Sequence, residues 1–322
     1  MKSAYKNEGI LSMNGISEKY MKQVGEAWNK KNNVQGRKAW WNSEQIIRHI
    51  NYLVCGEKID GWNAGAIKCL KAIRNKYVVA LSIGCGTANK EMQLLEQGIV
   101  DKFVCFELSE ERIEIGQQQA ARKGIEDRIE FYKEDFFASE YRNMKFDLVF
   151  WDNSLHHMPD VYEAVRVSKE VLKQDGIFFC NDYIGESRFQ WSDEKLNYVN
   201  QIRDTLEESL FITEDRIFFT KDNVLQRHKR RPTIERMMKI DPSEAADSEN
   251  ILPAINEYFK NPKITMLGGV VYMLALDRII ENIPENSDLL EKLILEDDAA
   301  MQKGMSLYAF VLARKDDKII AE

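Results

Sequence analysis

Val78-Val79-Ala80-Leu81-Ser82-Ile83-Gly84-Cys85-Gly86-Thr87-Ala88-Asn89 reads as an apolar strand that runs into a glycine turn and then into a helix. Glycines at such a turn let the backbone approach a ligand closely and take angles that a side chain would forbid. From Tyr77 onward, short β-rich runs alternate with helical patterns, which is the signature of βαβ units around a parallel sheet. Strands are expected at 78–83, 102–106, 129–132, 147–150 and 177–181, with helices at 88–97, 110–123 and 160–173. Right-handed crossovers between them build a Rossmann-like, doubly wound α/β sheet.

Two further acids fall where such a sheet binds its ligand. Glu107 closes the second strand, 21 residues past Gly86, where a carboxylate holds the hydroxyls of an adenosine ribose. Glu134-Asp135-Phe136 follows the third strand, so Asp135 is placed to accept from an adenine amino group and Phe136 to pack on the ring. A dinucleotide fold wants a third glycine where Asn89 stands, and no phosphate-cradling Gly-x-x-x-x-Gly-Lys-Ser/Thr is present. Tyr141 and Lys145 have the spacing of a dehydrogenase pair but lie between strands, beside Asn143, and are read as chance.

Outside this core, residues 1–76 read as a helical N-terminal cover, with helices at 17–31 and 42–54 separated by a break at Gly36. Trp40-Trp41, at the start of the second helix, must lie on the body or over a pocket. Residues 184–260 read as an inserted helical cap that forms the substrate region, with a helix over 192–210 and a proline-marked helix start at Asp241-Pro242-Ser243-Glu244. Strand texture returns at 263–267 and 306–313, with helical segments between Val270 and Met301, so residues 77–183 and 261–322 are assigned to one core.

Composition excludes several classes. Of 322 residues 44% are hydrophobic and 30% charged, too apolar for a disordered chain and ample for a core. A net charge of −7 offers no general attraction to nucleic acid or anionic lipid. Gly268 to Leu276, an apolar stretch near the end, falls far short of the roughly 20 residues of a membrane helix. Met1-Lys2-Ser3-Ala4-Tyr5-Lys6 lacks an apolar signal core, so a cytoplasmic protein is expected, with no nucleic-acid or membrane partner. Five scattered cysteines with no Cys-x-x-Cys pair indicate neither a disulfide framework nor a thiolate zinc site.

Taken together, Leu81-Ser82-Ile83-Gly84-Cys85-Gly86-Thr87, Phe106-Glu107-Leu108-Ser109, Glu134-Asp135-Phe136, Phe146-Asp147-Leu148-Val149-Phe150 and Asn153-Ser154-Leu155-His156-His157 resemble the class I S-adenosylmethionine-dependent methyltransferases, in particular bacterial small-molecule methyltransferases. Leu172-Lys173-Gln174-Asp175-Gly176-Ile177 and the tail Leu307 to Lys315 extend the resemblance. It implies a mostly parallel sheet with an antiparallel last strand, S-adenosyl-L-methionine as cofactor, and methyl transfer to an oxygen or nitrogen of a sugar or natural-product-like acceptor. It also implies a cradle of Gly84, Cys85, Gly86, Glu107, Leu108, Asp135, Phe136 and Asn153, with Trp41 as a pocket wall. Two positions depart from the family. Ser82 replaces the acid usually found two residues before the first glycine, and Ala88 a further glycine, so Glu91 or the N-terminal helices are expected to help hold the methionine end.

Methyl transfer from a sulfonium is an in-line displacement, so a protein mainly aligns the acceptor and excludes water, adding a base where a proton must leave. His156 and His157 are the candidates for that base. Asp152, Asn181 and Asp182 offer oxygen ligands to a magnesium ion, but such spacing is common and no metal is assigned. Tyr183, Arg188, Gln190 and Trp191 are expected in the acceptor pocket, and Arg231, in the basic run 227–231, is placed to receive a carboxylate or phosphate. A non-catalytic nucleoside-binding module and an NAD-dependent oxidoreductase are the alternatives. A helical N-terminal segment and an apolar cap are compatible with a homodimer.

Overall fold

The computed structural model describes residues 18–31, 38–212 and 224–320. Three helices come first: α1 (Glu18–Lys31), α2 (Glu44–Cys55) and α3 (Ala64–Ile73). Position 17, part of the expected first helix, and Gly36 lie outside the described residues. The alternating core follows as β1 (Tyr77–Ile83), α4 (Asn89–Glu96), β2 (Val100–Phe106), α5 (Glu110–Lys123), β3 (Ile129–Tyr132), β4 (Phe146–Asp152), α6 (Val161–Val171) and β5 (Leu172–Tyr183). Then come α7 (Asp193–Thr205), α8 (Ile234–Ile240), α9 (Ile251–Tyr258), β6 (Lys263–Gly268), α10 (Asp288–Gln302) and β7 (Tyr308–Arg314).

The seven strands stand in the order β3-β2-β1-β4-β5-β7-β6. β1 to β5 pair in parallel, and β7 runs antiparallel to both β5 and β6. This is the doubly wound α/β sheet with an antiparallel last strand. Its order reverses between β1 and β4, and at that switch point the loops after the two strands diverge and leave a crevice.

The strands are apolar on both faces because helices cover both. Leu81, Val149, Trp151 and Phe178 face one side, under α6 and α9, where Phe178 meets Phe259 at 5.0 Å. Their neighbours Ala80, Leu148, Phe150 and Phe179 face the other, with residues of α2, α3 and α4. A separate cluster joins Trp191, Leu196 and Val199 to Val270, Leu274 and Leu290.

Three expected elements differ in the structure. The helix placed at 192–210 ends at Thr205, and only a single 3-10 turn, Glu208–Phe211, follows. The helix placed at 160–173 ends at Val171, since Leu172 already pairs with Phe146 as a strand. The start expected at Asp241 is instead the end of α8. Asp241 N–H donates to Met237 O (2.8 Å), its carboxylate accepts from Ser243 N–H (2.9 Å), and Pro242 lacks the N–H that a continuing helix requires.

α1 lies across the start of α5 through an unusually close backbone approach. A Cβ on Gly25 would stand 2.9 Å from the Leu108 carbonyl oxygen. Asn29 Oδ1 accepts from Ser109 Oγ (2.6 Å), and the Arg112 guanidinium sits over the Trp28 ring at 4.3 Å. Among the described residues no helix is long and apolar enough to cross a membrane.

Helix propensity alone favours alanine over glycine by about 1 kcal/mol. Gly25→Ala is nevertheless expected to speed amide hydrogen exchange across residues 18–31, because the new methyl group must push α1 off the Leu108 carbonyl. Unchanged or slower exchange there would show that α1 is not seated by this contact.

Candidate cofactor and acceptor site

The crevice is a cavity of about 390 Å³ roofed by α1 and floored by the ends of β1, β2 and β4. Gly84 and Gly86 both take positive φ (70° and 59°) to make the turn after β1. A Cβ on Gly84 would lie 3.1 Å from Ser154 Cβ, and one on Gly86 2.9 Å from Arg112 Nη1, so a side chain at either position would crowd the loop after β4 or the Arg112 guanidinium.

Glu107 holds this turn to the second strand. Its Oε2 accepts from Gly86 N–H (2.9 Å), and its Oε1 from the N–H groups of Leu108 and Ser109 (2.8 Å each). Three of its roughly four acceptor positions are thus used by backbone, which aims the carboxylate and leaves capacity for one donor from the cavity. Asp135 caps the turn after β3, accepting from Phe137 N–H at 3.0 Å, and burial raises its pKa. Phe136 packs edge-on against Phe106 at 5.1 Å. The buried Arg112 Nε, on the cavity wall, has no hydrogen-bond partner.

The acid missing at Ser82 is supplied from the next helix. Ser82 Oγ donates to Glu91 Oε1 at 2.6 Å, and Glu91 is itself a wall of the cavity. Burial raises its pKa from 4.5 to about 7. A carboxyl thus reaches this end of the crevice from α4 rather than from the strand.

Beyond the glycine turn stands Asn153, at φ 54°, between two carboxylates whose oxygens are engaged. Asp152 accepts from Lys90 Nζ (2.6 Å), Asn63 Nδ2 (3.0 Å), Asn153 Nδ2 (2.9 Å) and Asn181 Nδ2 (3.3 Å). Asp182 accepts from the N–H groups of Ser154 (3.0 Å), Leu155 (2.7 Å) and Tyr183 (2.7 Å), and pairs with His156 Nδ1 at 2.5 Å.

The two histidines differ in setting. His156 is buried, with Nδ1 on Asp182 and Nε2 3.5 Å from Glu244 Oε1. Burial alone would lower its pKa, but the carboxylates of Asp182 and Glu244 outweigh it and push the value up to about 10. His157 lines the cavity, edge-on to Trp28 at 4.9 Å, with Nδ1 3.1 Å from Ser243 Oγ. Since Ser243 Oγ donates to Asp241 Oδ1 (2.6 Å), its lone pair accepts from His157, which places the ring proton on Nδ1.

Of the residues expected in the cofactor cradle, Gly84, Cys85, Gly86, Glu107, Leu108, Asp135, Phe136 and Asn153 all line this cavity. Trp41 does not. It is 52% exposed at the rim of another cleft, and Trp28 occupies the roof instead. None of the five expected acceptor residues lines the cavity. Tyr183 and Trp191 are buried and joined by the indole N–H (3.0 Å), and Gln190 Nε2 donates to Arg188 O (2.9 Å) and Pro232 O (3.0 Å). Arg188 donates to Glu244 O (3.0 Å), while Arg231 and Trp191 face the separate cleft that Trp41 borders. Tyr20, Trp28, Arg112, Ser243 and Glu244 were not singled out for this site from sequence. Only Ser243 and Glu244 carry a sequence signal, the Asp-Pro-Ser-Glu run, whose proline marks a helix boundary without saying what the turn faces.

A Rossmann-like sheet whose switch point carries a glycine turn and acids on successive strand ends defines an α/β protein with a ligand crevice at the carboxyl edge of its strands. The family model for the methyltransferase domain matches residues 74–236, half of the chain, and the chain belongs to that family. It is similar to 27-O-demethylrifamycin SV methyltransferase of Amycolatopsis mediterranei (29% identity over 104 residues, 32% of this chain and 38% of the relative). It is also similar to demethylmenaquinone methyltransferase of Leptospira interrogans (23% over 131 residues, 40% and 52%). The matched segments span 36% to 52% of the length of these and the other curated relatives. Among solved structures, geranyl diphosphate C-methyltransferase from Streptomyces coelicolor A3(2) shares the fold, with a TM-score of 0.52 and 10% identity over 92% of this chain and 98% of its own.

The buried Glu91 carboxyl makes folding pH-dependent. Its pKa is about 7 in the folded protein against an ordinary 4.5, so its contribution to stability is complete below 4.5 and lost as pH rises through 7. Glu91→Gln, which keeps a neutral side chain, is expected to lose less stability than the parent between about pH 5 and 8 in urea melts. Parallel pH profiles for the two proteins would refute the shift.

Proposed function

We propose that the chain binds S-adenosyl-L-methionine in this cavity and transfers its methyl group to an oxygen or nitrogen of a small molecule, of sugar or natural-product type. The observation that carries the reading is the continuous wall from the glycine turn, Glu107 and Asp135 to Asn153 and His157. The cradle fits a nucleoside. Gly84 and Gly86 present bare backbone to the cavity, Glu107 has one acceptor position to spare, and the buried Arg112 Nε awaits an acceptor. Glu91 suits the cationic methionine end.

In this reading Glu107 fixes the ribose, and Asp135 and Phe136 the adenine. α1 closes over the bound molecule, with Trp28 and Met21 on the cavity wall to exclude water. Asn153 would border the reacting methyl group, and of the two histidines His157, on the cavity wall, would take the acceptor's proton, since His156 is buried between Asp182 and Glu244. Bringing acceptor and methyl group into line is the main contribution to rate, and a positioned proton acceptor adds to it.

Calorimetric titration with S-adenosylhomocysteine, with NADH in parallel, tests the reading. Saturable binding of the first alone is expected, and binding of NADH alone would overturn it. Glu107→Ala is expected to weaken S-adenosylhomocysteine binding by about 1–3 kcal/mol through the lost charged hydrogen bonds. Unchanged affinity would remove the ribose assignment.

A further inference from the structure

His156, His157 and Glu244 bring three ligand atoms within 4.8 Å of one another, and His157 of the three lines the cavity. His156 Nε2 and Glu244 Oε1 are 3.5 Å apart, close to the about 3.4 Å between neighbouring ligand atoms in a tetrahedral site with bonds of 2.0–2.1 Å. We propose that the imidazoles of His156 and His157 and the carboxylate of Glu244 form a binding site for one divalent transition-metal ion of the zinc type, with a coordination position open to the cavity.

The outer shell is that of a metal site. Histidine ligands usually donate the second ring N–H to a carboxylate or another oxygen acceptor, which fixes ring and tautomer. Both rings meet this condition: His156 Nδ1 is on Asp182, and His157 Nδ1 is on Ser243 Oγ, itself anchored to Asp241. His156 thus presents Nε2 beside Glu244, and a proton on Nδ1 leaves Nε2 of His157 as that ring's donor atom. Two imidazoles and one carboxylate are the donor set of open zinc and iron(II) centres, whereas magnesium and calcium prefer all-oxygen shells.

The backbone that carries Glu244 is held under strain. Ala245, Arg188 and Phe189 all have positive φ (46°, 56° and 52°), although none is glycine. Arg188 N–H donates to Ala245 O (2.6 Å), and Ala246 N–H to His156 O (2.9 Å), which clamps this segment onto the histidine loop. Strained non-glycine positions cost of order 1–3 kcal/mol each and persist where the surroundings over-determine them, typically at ligand sites. The carboxylates of Asp182, Glu244 and Asp241 face the cluster, with Arg188 the cation beside them.

As a binding site this stands apart from the methyl-transfer reading. The role it suggests, a Lewis acid for an oxygen of the acceptor in place of a histidine base, rests on that reading. Because His157 lines the cavity and His156 does not, the open position would face the cavity, and an acceptor with a hydroxyl or carboxylate oxygen is favoured over an amine.

The full chain, freed of metal with a chelator, is titrated at pH 8 with Co²⁺, and its visible d–d absorption is followed. Zn²⁺ calorimetry runs in parallel. One equivalent of Co²⁺ is expected to saturate an intense spectrum of low coordination number, which Zn²⁺ then abolishes. Glu244→Gln and His157→Gln are each expected to weaken the ion by tenfold or more. Ser243→Ala, which frees only the His157 ring, should weaken it by roughly tenfold. Binding of S-adenosylhomocysteine by Glu244→Gln, measured separately, reports that the variant folds and tests the cofactor reading on its own. No saturable spectrum, a spectrum unchanged in both ligand variants, or a sulfur-to-cobalt charge-transfer band from the five free cysteines would each overturn the proposal.

Discussion

The site depends on one buried carboxylate, Asp182, at the end of β5. It accepts from three consecutive demands of the fold: Ser154 and Leu155 N–H in the loop after β4, and Tyr183 N–H on its own strand. The fourth bond orients His156. A charge this deep is tolerated only when its lone pairs are filled, and leaving one partner unpaired typically costs several kcal/mol. The loop that carries Asn153, His156 and His157 is therefore fixed by the same group that ends the strand beneath it. Glu107 does the equivalent work one strand pair away, where backbone donors tie the glycine turn to β2.

Around these two anchors, the pocket is completed from distant parts of the chain. α1 supplies the roof because Gly25 lets its backbone meet the Leu108 carbonyl and because Trp28 stacks on Arg112. The turn at Asp241–Ala246 supplies Ser243 and Glu244 because Pro242 stops α8 and Ala246 bonds back to His156. With Ser82 on β1 and Glu91 on α4, a carboxyl still reaches the cavity. Burial keeps that carboxyl neutral to about pH 7 in the protein alone.

Legibility followed the range of the interactions. Strand β3 and helix α5 match the expected limits, and the other core strands differ by a few residues at their ends, because period and turn chemistry are local. The cradle was legible for the same reason: Gly84, Gly86, Glu107 and Asp135 sit at the ends of successive strands, and parallel pairing brings such ends together. Trp41 was misplaced because a paired tryptophan announces burial without saying against what. Trp40 found Tyr272 and Tyr308, at 4.8 and 5.3 Å, and left Trp41 in solvent. Tyr183, Gln190 and Trp191 carried the composition of a binding wall, yet they spend their polar atoms on one another and on backbone.

The amino-acid sequence by itself determined the doubly wound sheet, its switch point and the residues that line the cavity from its carboxyl edge, since apolar strand runs, glycine turns and strand-end acids act within a few residues. Only the tertiary structure decided which helix roofs the cavity, where the acid missing from Ser82 comes from, and which atoms face the histidines. Those contacts join residues far apart in the chain, such as Gly25 with Leu108 and Ser243 with His157. Their partners are chosen by packing and by the need to satisfy buried charge, and no local pattern records that choice.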